Sequence, residues 1–354
     1  ESGVILKDLN SEILNKKLML ECMPGCKFVT VGGMIANNIS GKLLKNNNLK
    51  KYILSLKLIN NKNKLIECSN YTNKKLFDLT INGKGITGPI ISAKFKLKKI
   101  KSDFFIVKKF NFNSYKKFFL NLKMLKPYKY SFCWIDFNQK KFSGTIFAAN
   151  NYNNDIRKIN EKINFKMPEF LIFIFSFFVT KKTFCILFNK IFKLKNVIFK
   201  ENIINFDNFF FPQNRILNWN DVFKKSGFVQ HHFFIKINQL QEIIDSIKKN
   251  FNKNGIFSNF AVIKFHNLDK QNFDIISISL DIPLDNNYLL VKSILNKEIN
   301  KFGINVNLSK DIIFDKINLN TLKHNPAFNS KMNKYMDKNF NSNLFSRLKK
   351  NYAK

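Results

Sequence analysis

The sequence predicts an α+β fold with two parts, and two patterns carry this prediction. Residues 1–99 alternate short apolar runs with turns rich in Gly and Asn, which is typical of short strands. Residues 226–308 alternate strand-like runs with two segments of helical spacing. With 354 residues, of which 45% are hydrophobic, the chain is long enough for two cores and too apolar to be disordered as a whole.

The first part is organised around a glycine-containing stretch. A helix is expected over Asp8–Leu20, and Phe28–Val31 is expected to be a short strand that runs into Gly32-Gly33. A second turn of small residues, Ser40-Gly41, is closed by Lys42. Backbone N–H groups and one cation in such a segment suit an anionic ligand. The alternative is two ordinary turns in a β-rich protein.

A second glycine bend follows in the same part. Gly83, Gly85 and Gly88 satisfy the pattern G-x-G-x-x-G. In a Rossmann fold that pattern opens a helix, whereas here Pro89 and the alternation over residues 94–98 predict a strand. The bend is therefore expected to lead back into a sheet.

The second part has the best-defined pattern. Its predicted order is strand, helix, strand, strand, helix, strand, over 229–237, 240–251, 257–265, 273–282, 288–301 and 304–308. This order is the ferredoxin-like βαββαβ unit. An antiparallel sheet with helices on one face leaves its other face available to cover a ligand.

Phe170–Val179 is a ten-residue run that is apolar at every position except Ser176, and Lys181 and Lys182 follow it closely. It is too short to span a bilayer, which needs about 20 residues. Two interpretations remain: a buried strand, or an exposed segment that dips into a membrane with the lysines at the headgroups.

The charge is strongly positive, with 60 Lys and Arg against 24 Asp and Glu and a formal net charge of +36. Such a balance suits nucleic acid or an anionic membrane surface. Because the lysines are spread along the whole chain, we expect no nucleic-acid partner, and a non-catalytic basic scaffold stays as the competing class. The five cysteines lack zinc-finger spacing, so we expect no metal site and a reduced, cytoplasmic protein.

The segments VTVGGxIAxxxxGK (29–42) and GxGITGxI (83–90), with NFNSNLFSRL at 339–348, resemble the vanillyl-alcohol oxidase / p-cresol methylhydroxylase (PCMH) family, and within it the decaprenylphosphoryl-β-D-ribose 2′-oxidase group. The resemblance implies that residues 1–99 are the later part of a PCMH-type FAD-binding domain, whose pyrophosphate loop would precede Glu1. It further implies a substrate or cap domain over 100–320 and a segment, 321–354, that packs back on the FAD domain.

The resemblance also implies FAD as the cofactor. The residues that it assigns to the flavin nucleotide are Gly32, Gly33, Ile35, Ala36, Ser40, Gly41, Gly88 and Ile90. Those that it assigns to the substrate are Lys42, Pro212, Gln230 and His232. Relatives carry His where this chain has Ser40, which changes the donors expected beside the flavin.

Lys264 is the candidate catalytic residue. It lies between Ile263 and Phe265 on a predicted strand, and desolvation in an apolar pocket would make its amine usable as a base or donor. By resemblance it matches the active-site lysine beside the flavin. The alternative is an edge-strand lysine in water. On another strand Gln230 and His232 share a face, whereas His231 points to the opposite one.

The expected activity is oxidation of a CH–OH group of a sugar or polyprenyl-phosphate sugar by hydride transfer to flavin N5, with Lys264 handling the hydroxyl proton. The resemblance allows a short-chain reductase partner that completes an epimerisation and a peripheral contact with the inner membrane. The alternative within the superfamily is an aldonolactone or alditol oxidase.

Overall fold

A computed structural model describes residues 1–45, 47–60, 62–153, 167–215, 219–223, 227–269, 272–284 and 288–310. The chain forms two compact units. Within the described residues, unit 1 holds residues 1–41 and 47–101, and unit 2 holds residues 42–45 and 102–310. Unit 2 thus resumes at Ser102, next to the predicted boundary after residue 99. The predicted segment 321–354 lies outside the described residues.

Unit 1 combines short helices with small antiparallel sheets. Its elements are α1 (Leu6–Asn15), β1 (Leu18–Met19), α2 (Val31–Ala36), β2 (Ile53–Ile59), β3 (Leu65–Ser69), α3 (Lys74–Thr80), β4 (Ile90–Phe95) and β5 (Lys98–Lys99). Strand β2 lies between β3 and β4, and β1 pairs with β5. The second glycine bend therefore leads into a strand, β4, as the sequence predicts.

The predicted strand Phe28–Val31 is wrong, because helix α2 begins at Val31. The Thr30 hydroxyl accepts a hydrogen bond from the Gly33 N–H at 3.1 Å and caps this helix. A Thr at an N-cap satisfies an orphan donor of the first turn. The β-branched residue that suggested a strand thus serves to start a helix.

Unit 2 contains the remaining elements. They are β6 (Phe104–Phe112), α4 (Tyr115–Lys123), β7 (Tyr130–Ile135), β8 (Gly144–Asn151), α5 (Glu169–Phe178), α6 (Lys182–Ile198), β9 (Glu201–Asn205), α7 (Phe206–Phe210), β10 (Phe228–Lys236), α8 (Leu240–Lys253), β11 (Phe260–Asp269), β12 (Asn272–Pro283), α9 (Tyr288–Phe302) and β13 (Asn305–Val306).

The strands of unit 2 form one sheet in the order β13-β10-β12-β11-β7-β8-β6-β9. Its neighbouring strands pair antiparallel. The elements β10 to β13 follow the order that the sequence predicts, although the sheet extends beyond them through β7, β8, β6 and β9. The helices and antiparallel sheets agree with the α+β class.

One face of this sheet is an apolar core. Phe233, Ile263 and Ile278 lie on it and are buried. From the helix side, Phe118 of α4 stacks on Phe265 at 6.3 Å between ring centroids. Helices α8 and α9 bury apolar stripes at helical spacing, which are the periodicities that identified them in the sequence.

His231 lies on this apolar face, opposite His232 as the strand alternation predicts, and is 2% exposed. Neither of its ring nitrogens has a hydrogen-bond partner, and burial lowers its pKa from 6.5 to about 4. A histidine that cannot take up a proton in the folded state favours the unfolded chain in acid. This contribution to stability is present above pH 6.5 and is lost as the pH falls toward 4.

We expect His231→Leu to make stability less dependent on pH. Between pH 7 and pH 5 the native chain should lose about 2 kcal/mol of unfolding free energy through this residue alone. Urea titrations of both proteins at each pH measure the difference. Equal losses in both proteins would contradict a neutral, unpartnered imidazole at this position.

The predicted buried strand at Phe170–Val179 is also wrong. This run forms helix α5, and several of its large side chains are exposed. Among the described residues, no single helix is long and apolar enough to cross a membrane. Helices α5 and α6 meet that test only as a pair, bent by 110° at the break between them.

Candidate active site

The second face of the large sheet carries a stripe of polar side chains. The register places Gln230 opposite Asp281, His232 opposite Ser279, and Lys264 opposite Ser277. Since side chains alternate along each strand, these residues share one face, away from the apolar core. We call this set, together with His266 two residues beyond Lys264, the polar face.

Lys264 is the electrostatic centre of the polar face. Its side chain is half-buried on β11. Its positive charge contributes to lowering the pKa of three buried groups: Lys42, His232 and His266. Burial is the larger cause of each shift, and the Lys264 charge adds to it, which requires that Lys264 lies near all three groups. The structure therefore brings the predicted catalytic lysine together with two predicted substrate residues, Lys42 and His232.

His232 is held in a defined state. The Asn307 amide Nδ2 donates to His232 Nδ1 at 2.8 Å. Burial first, then the charges of Lys264 and Lys310, keep the pKa of His232 well below its usual value. The ring is therefore neutral near pH 7, and with Nδ1 accepting it carries its proton on Nε2. His232 offers a hydrogen-bond donor at that atom.

His266 is a member of the site that the sequence analysis missed. Its Nε2 pairs with the Ser277 hydroxyl at 2.7 Å, and burial followed by the Lys264 charge lowers its pKa to about 4. The available signal was its spacing, since a residue two positions after Lys264 on a strand shares its face. No pattern in the sequence indicated that Ser277 or Asn307 belongs to the site.

Lys42 lies in an aromatic cage of unit 2. Its Nζ donates to the Phe209 carbonyl and sits over the rings of Phe132 and Phe209, at 4.3 Å and 4.9 Å from their centroids. Burial, and secondarily the Lys264 charge, hold its pKa well below the usual value. The Ser131 N–H fixes the Lys42 backbone by donating to its carbonyl at 2.7 Å.

The sequence placed Lys42 with the glycine bend of unit 1, and this grouping is corrected: Lys42–Lys45 belong to unit 2. Gln230 is anchored by its Nε2, which donates to Asp281 Oδ1 at 2.7 Å. Pro212 is exposed at the start of a 3₁₀ turn, Pro212–Arg215. Its place in a substrate pocket stays a prediction.

The two glycine bends of unit 1 lie side by side. The Asn82 N–H donates to the Ile35 carbonyl at 3.1 Å, and the Lys84 N–H donates to the Ala36 carbonyl at 3.0 Å. The Lys84 ammonium adds a bond to the Asn37 side chain at 3.2 Å. The segments that the sequence assigned to one nucleotide therefore come together, although more than forty residues separate them in the chain.

Several of the predicted backbone donors are already used inside unit 1. Gly32 N–H donates to the Ser2 carbonyl at 2.8 Å, and Gly41 N–H donates to the Asn47 carbonyl at 2.7 Å. Gly33 N–H serves the Thr30 cap. Gly32 and Gly33 stay partly exposed, so they offer bare backbone surface rather than hydrogen bonds. The expectation of donors at these three glycines is corrected accordingly.

The other predicted nucleotide residues have structural partners. Ser40 forms a bridge with Asn48, and Ile90 begins β4 opposite Leu58. Lys84, between Gly83 and Gly85, is a buried cation whose pKa burial lowers to about 7. Two adjacent bends of small residues with a lysine between them fit an anionic nucleotide. Among the described residues no group of His, Cys, Asp or Glu is arranged to hold a metal ion.

Comparisons with known proteins agree with this arrangement. Residues 1–69 match the model of an FAD binding domain. The chain is 22% identical over 330 residues to a decaprenylphosphoryl-beta-D-ribose oxidase of Mycolicibacterium smegmatis, an alignment that covers 88% of this chain and 71% of that protein. Together these matches indicate that the chain is an FAD-dependent oxidoreductase and that it is similar to oxidases of the PCMH type.

Proposed function

We propose that the protein oxidises a secondary hydroxyl group of a phosphate-bearing sugar, of the polyprenyl-phosphate sugar class, to a ketone. The observation that carries this proposal is the polar face, where the half-buried Lys264 lies near two neutral imidazoles and the buried Lys42. Unit 2 would then be the substrate-binding domain.

The polar face supplies the groups that alcohol oxidation requires. The hydroxyl proton must leave as the C–H bond is broken, and Lys264 would take or stabilise that proton. His232 would donate from Nε2 to a second sugar oxygen. Gln230, fixed by Asp281, would orient a further hydroxyl through its amide oxygen. Bound FAD would accept the C–H hydrogen as a hydride, which carries both electrons of the oxidation.

The charges favour an anionic substrate. Lys42, Lys264 and Lys310 all act on the same buried region, and two of them lower the pKa of His232. Amines that lie close together repel one another, and a phosphate bound between them stabilises their charges. The similarity to a protein named as an oxidase of a phosphoryl-linked ribose supports the same substrate class.

Anaerobic reduction of the bound flavin tests the proposal. We expect a short-chain prenyl-phosphoryl pentose to bleach the blue-light absorbance of the oxidised flavin at least tenfold faster than an aldonolactone or an alditol at equal concentration. The same pentose without its phosphate should react more slowly. Preferential bleaching by the aldonolactone or alditol would instead support the alternative activity and overturn the proposed substrate class.

A further inference from the structure

Exposed large apolar side chains are concentrated on helices α5 and α6. Twelve of the 25 exposed large hydrophobic residues in the described part of the chain fall between Phe170 and Phe199. We call this set the apolar patch; it consists of Phe170, Phe173, Ile174, Phe177, Phe178, Leu187, Phe188, Ile191, Leu194, Val197, Ile198 and Phe199. Single exposed apolar residues are ordinary, but a contiguous patch of this kind marks an interaction surface.

The spacing shows that the patch is one face of each helix. On α5 the exposed residues begin at Phe170 and recur at intervals of three and four to Phe178. On α6 a second stripe runs from Leu187 through Ile191 to Ile198. In a water-soluble domain such stripes face the core. Here they face outward.

The inner face of α6 combines polar and aromatic contacts, since Phe192 packs edge-on against Trp134 at 4.9 Å between ring centroids. Cys185, Asn189 and Asn196 are the buried residues of this helix. Asn189 Nδ2 donates to Asp136 Oδ1 at 2.8 Å, and the Asn196 carbonyl accepts from Asn111 Nδ2 at 3.1 Å. The bond from the Asn189 side chain holds this side of α6 against unit 2. Contacts with unit 2 therefore fix the orientation of α6, and this orientation turns the apolar side outward.

The inner side of helix α5 is held by apolar contacts, and its outer side is also apolar and exposed. Leu171, Ile172 and Phe175 pack on a small buried cluster that contains Met167, Val179, Val222 and Phe223. This leaves Phe173, Ile174 and Phe177 outside. Both helices thus have their inner sides occupied by unit 2, and the outer sides need an apolar environment.

The charges around the patch identify that environment. Between residues 170 and 200 the chain has six lysines, at 181, 182, 190, 193, 195 and 200, and no Asp or Glu. Lys181, Lys190 and Lys195 are exposed. Lysines beside an outward apolar helix face suit a bilayer with anionic lipids, since the amines reach the headgroups while the rings enter the acyl boundary.

We propose that α5 and α6 dock the protein on an anionic membrane surface. The two helices have 10 and 17 residues, and the 110° bend separates them, so neither crosses a hydrocarbon core of about 30 Å. They lie in the interface instead, with the apolar patch inserted. This inference is independent of the substrate, because it concerns where the protein binds.

Flotation with lipid vesicles tests the proposal. We expect the flavin-loaded protein to float with vesicles of phosphatidylcholine and phosphatidylglycerol, and to bind more weakly at high salt. The double variant Ile191→Gln/Leu194→Gln should lose at least tenfold in partition coefficient. The matched control Leu65→Gln/Leu289→Gln changes two apolar residues outside the patch that are at least as exposed, and should bind as the native chain does.

A second measurement reports insertion directly. With Phe173→Trp, brominated lipids should quench the added fluorescence relative to the native chain, whose tryptophans are Trp134 and Trp219. Equal vesicle binding by the patch variant and the native chain would overturn the proposal, because binding would then come from the general positive charge. Loss of a dimer in the patch variant, without vesicle binding by the native chain, would assign the patch to a second copy instead.

Discussion

Lys264→Met is expected to leave FAD bound and to slow substrate-driven bleaching of the flavin by a factor of about 100 or more. A positioned group that handles a proton contributes about 10²–10⁴ to a rate. The variant keeps the length of the side chain and its apolar stem on β11. Stopped-flow absorbance under anaerobic conditions measures the rate, and the flavin-to-protein ratio reports whether the cofactor is retained.

Two comparisons separate proton handling from simple loss of charge. Lys236→Met removes an exposed lysine at the end of β10 and should bleach at the native rate. Lys264→Arg keeps the charge but provides a group that does not deprotonate, so its bleaching should stay slow. Native-like bleaching by Lys264→Met would remove this residue from the proposed mechanism.

The Lys264→Met variant can also be tested by a measurement that does not require catalysis. Because the Lys264 charge lowers the pKa of His266, its removal should raise that pKa above about 4, and the pKa of His232 should move in the same direction. NMR titration of the histidine ring protons follows both shifts. Unchanged histidine pKa values would contradict the central position of Lys264 in the polar face.

The part of the fold that the sequence predicted best is the part where local periodicity and tertiary packing agree. Leu240, Ile243 and Ile247 have helical spacing and are buried along α8. The same reasoning failed at Phe170–Val179, because a run whose single polar residue is Ser176 has no polar side to reveal its period. Its helical stripe became visible only when the structure showed which residues face outward.

The candidate site was predictable only where residues share a strand. Gln230, His232 and Lys264 could be assigned to faces from alternation alone. The cage around Lys42 could not, since Phe132 and Phe209 are distant in sequence and carry no pattern of their own. The same limit applies to Asn307, which follows β13 and sets the proton position on His232.

Gly88→Ala is expected to destabilise unit 1 by on the order of 4 kcal/mol. Gly88 has φ +120°, and a Cβ there would lie 1.9 Å from the Ile59 carbonyl oxygen. The backbone cannot retreat, because Ile59 N–H donates to the Pro89 carbonyl at 3.1 Å and Leu58 pairs with Ile90. The substitution therefore combines backbone strain with a clash against main chain.

Two other glycines provide graded controls. Gly255→Ala introduces strain at φ +67° with no atom within 4 Å of the new Cβ, and should cost about 1 kcal/mol. Gly25→Ala has open space and no positive φ, so its effect should stay within about 0.5 kcal/mol. Urea unfolding, followed by far-UV circular dichroism and by flavin release, gives the three values.

This series also decides what Gly88 does. The sequence assigned it to the flavin nucleotide, whereas its geometry ties it to the β2–β4 pairing. If its main role is structural, Gly88→Ala loses stability and flavin together, and Gly25→Ala loses neither. A Gly88→Ala protein with native stability and weakened flavin binding would show that the flavin needs the space left by the absent side chain at position 88. It would also show that unit 1 can shift Ile59 to accommodate a methyl group.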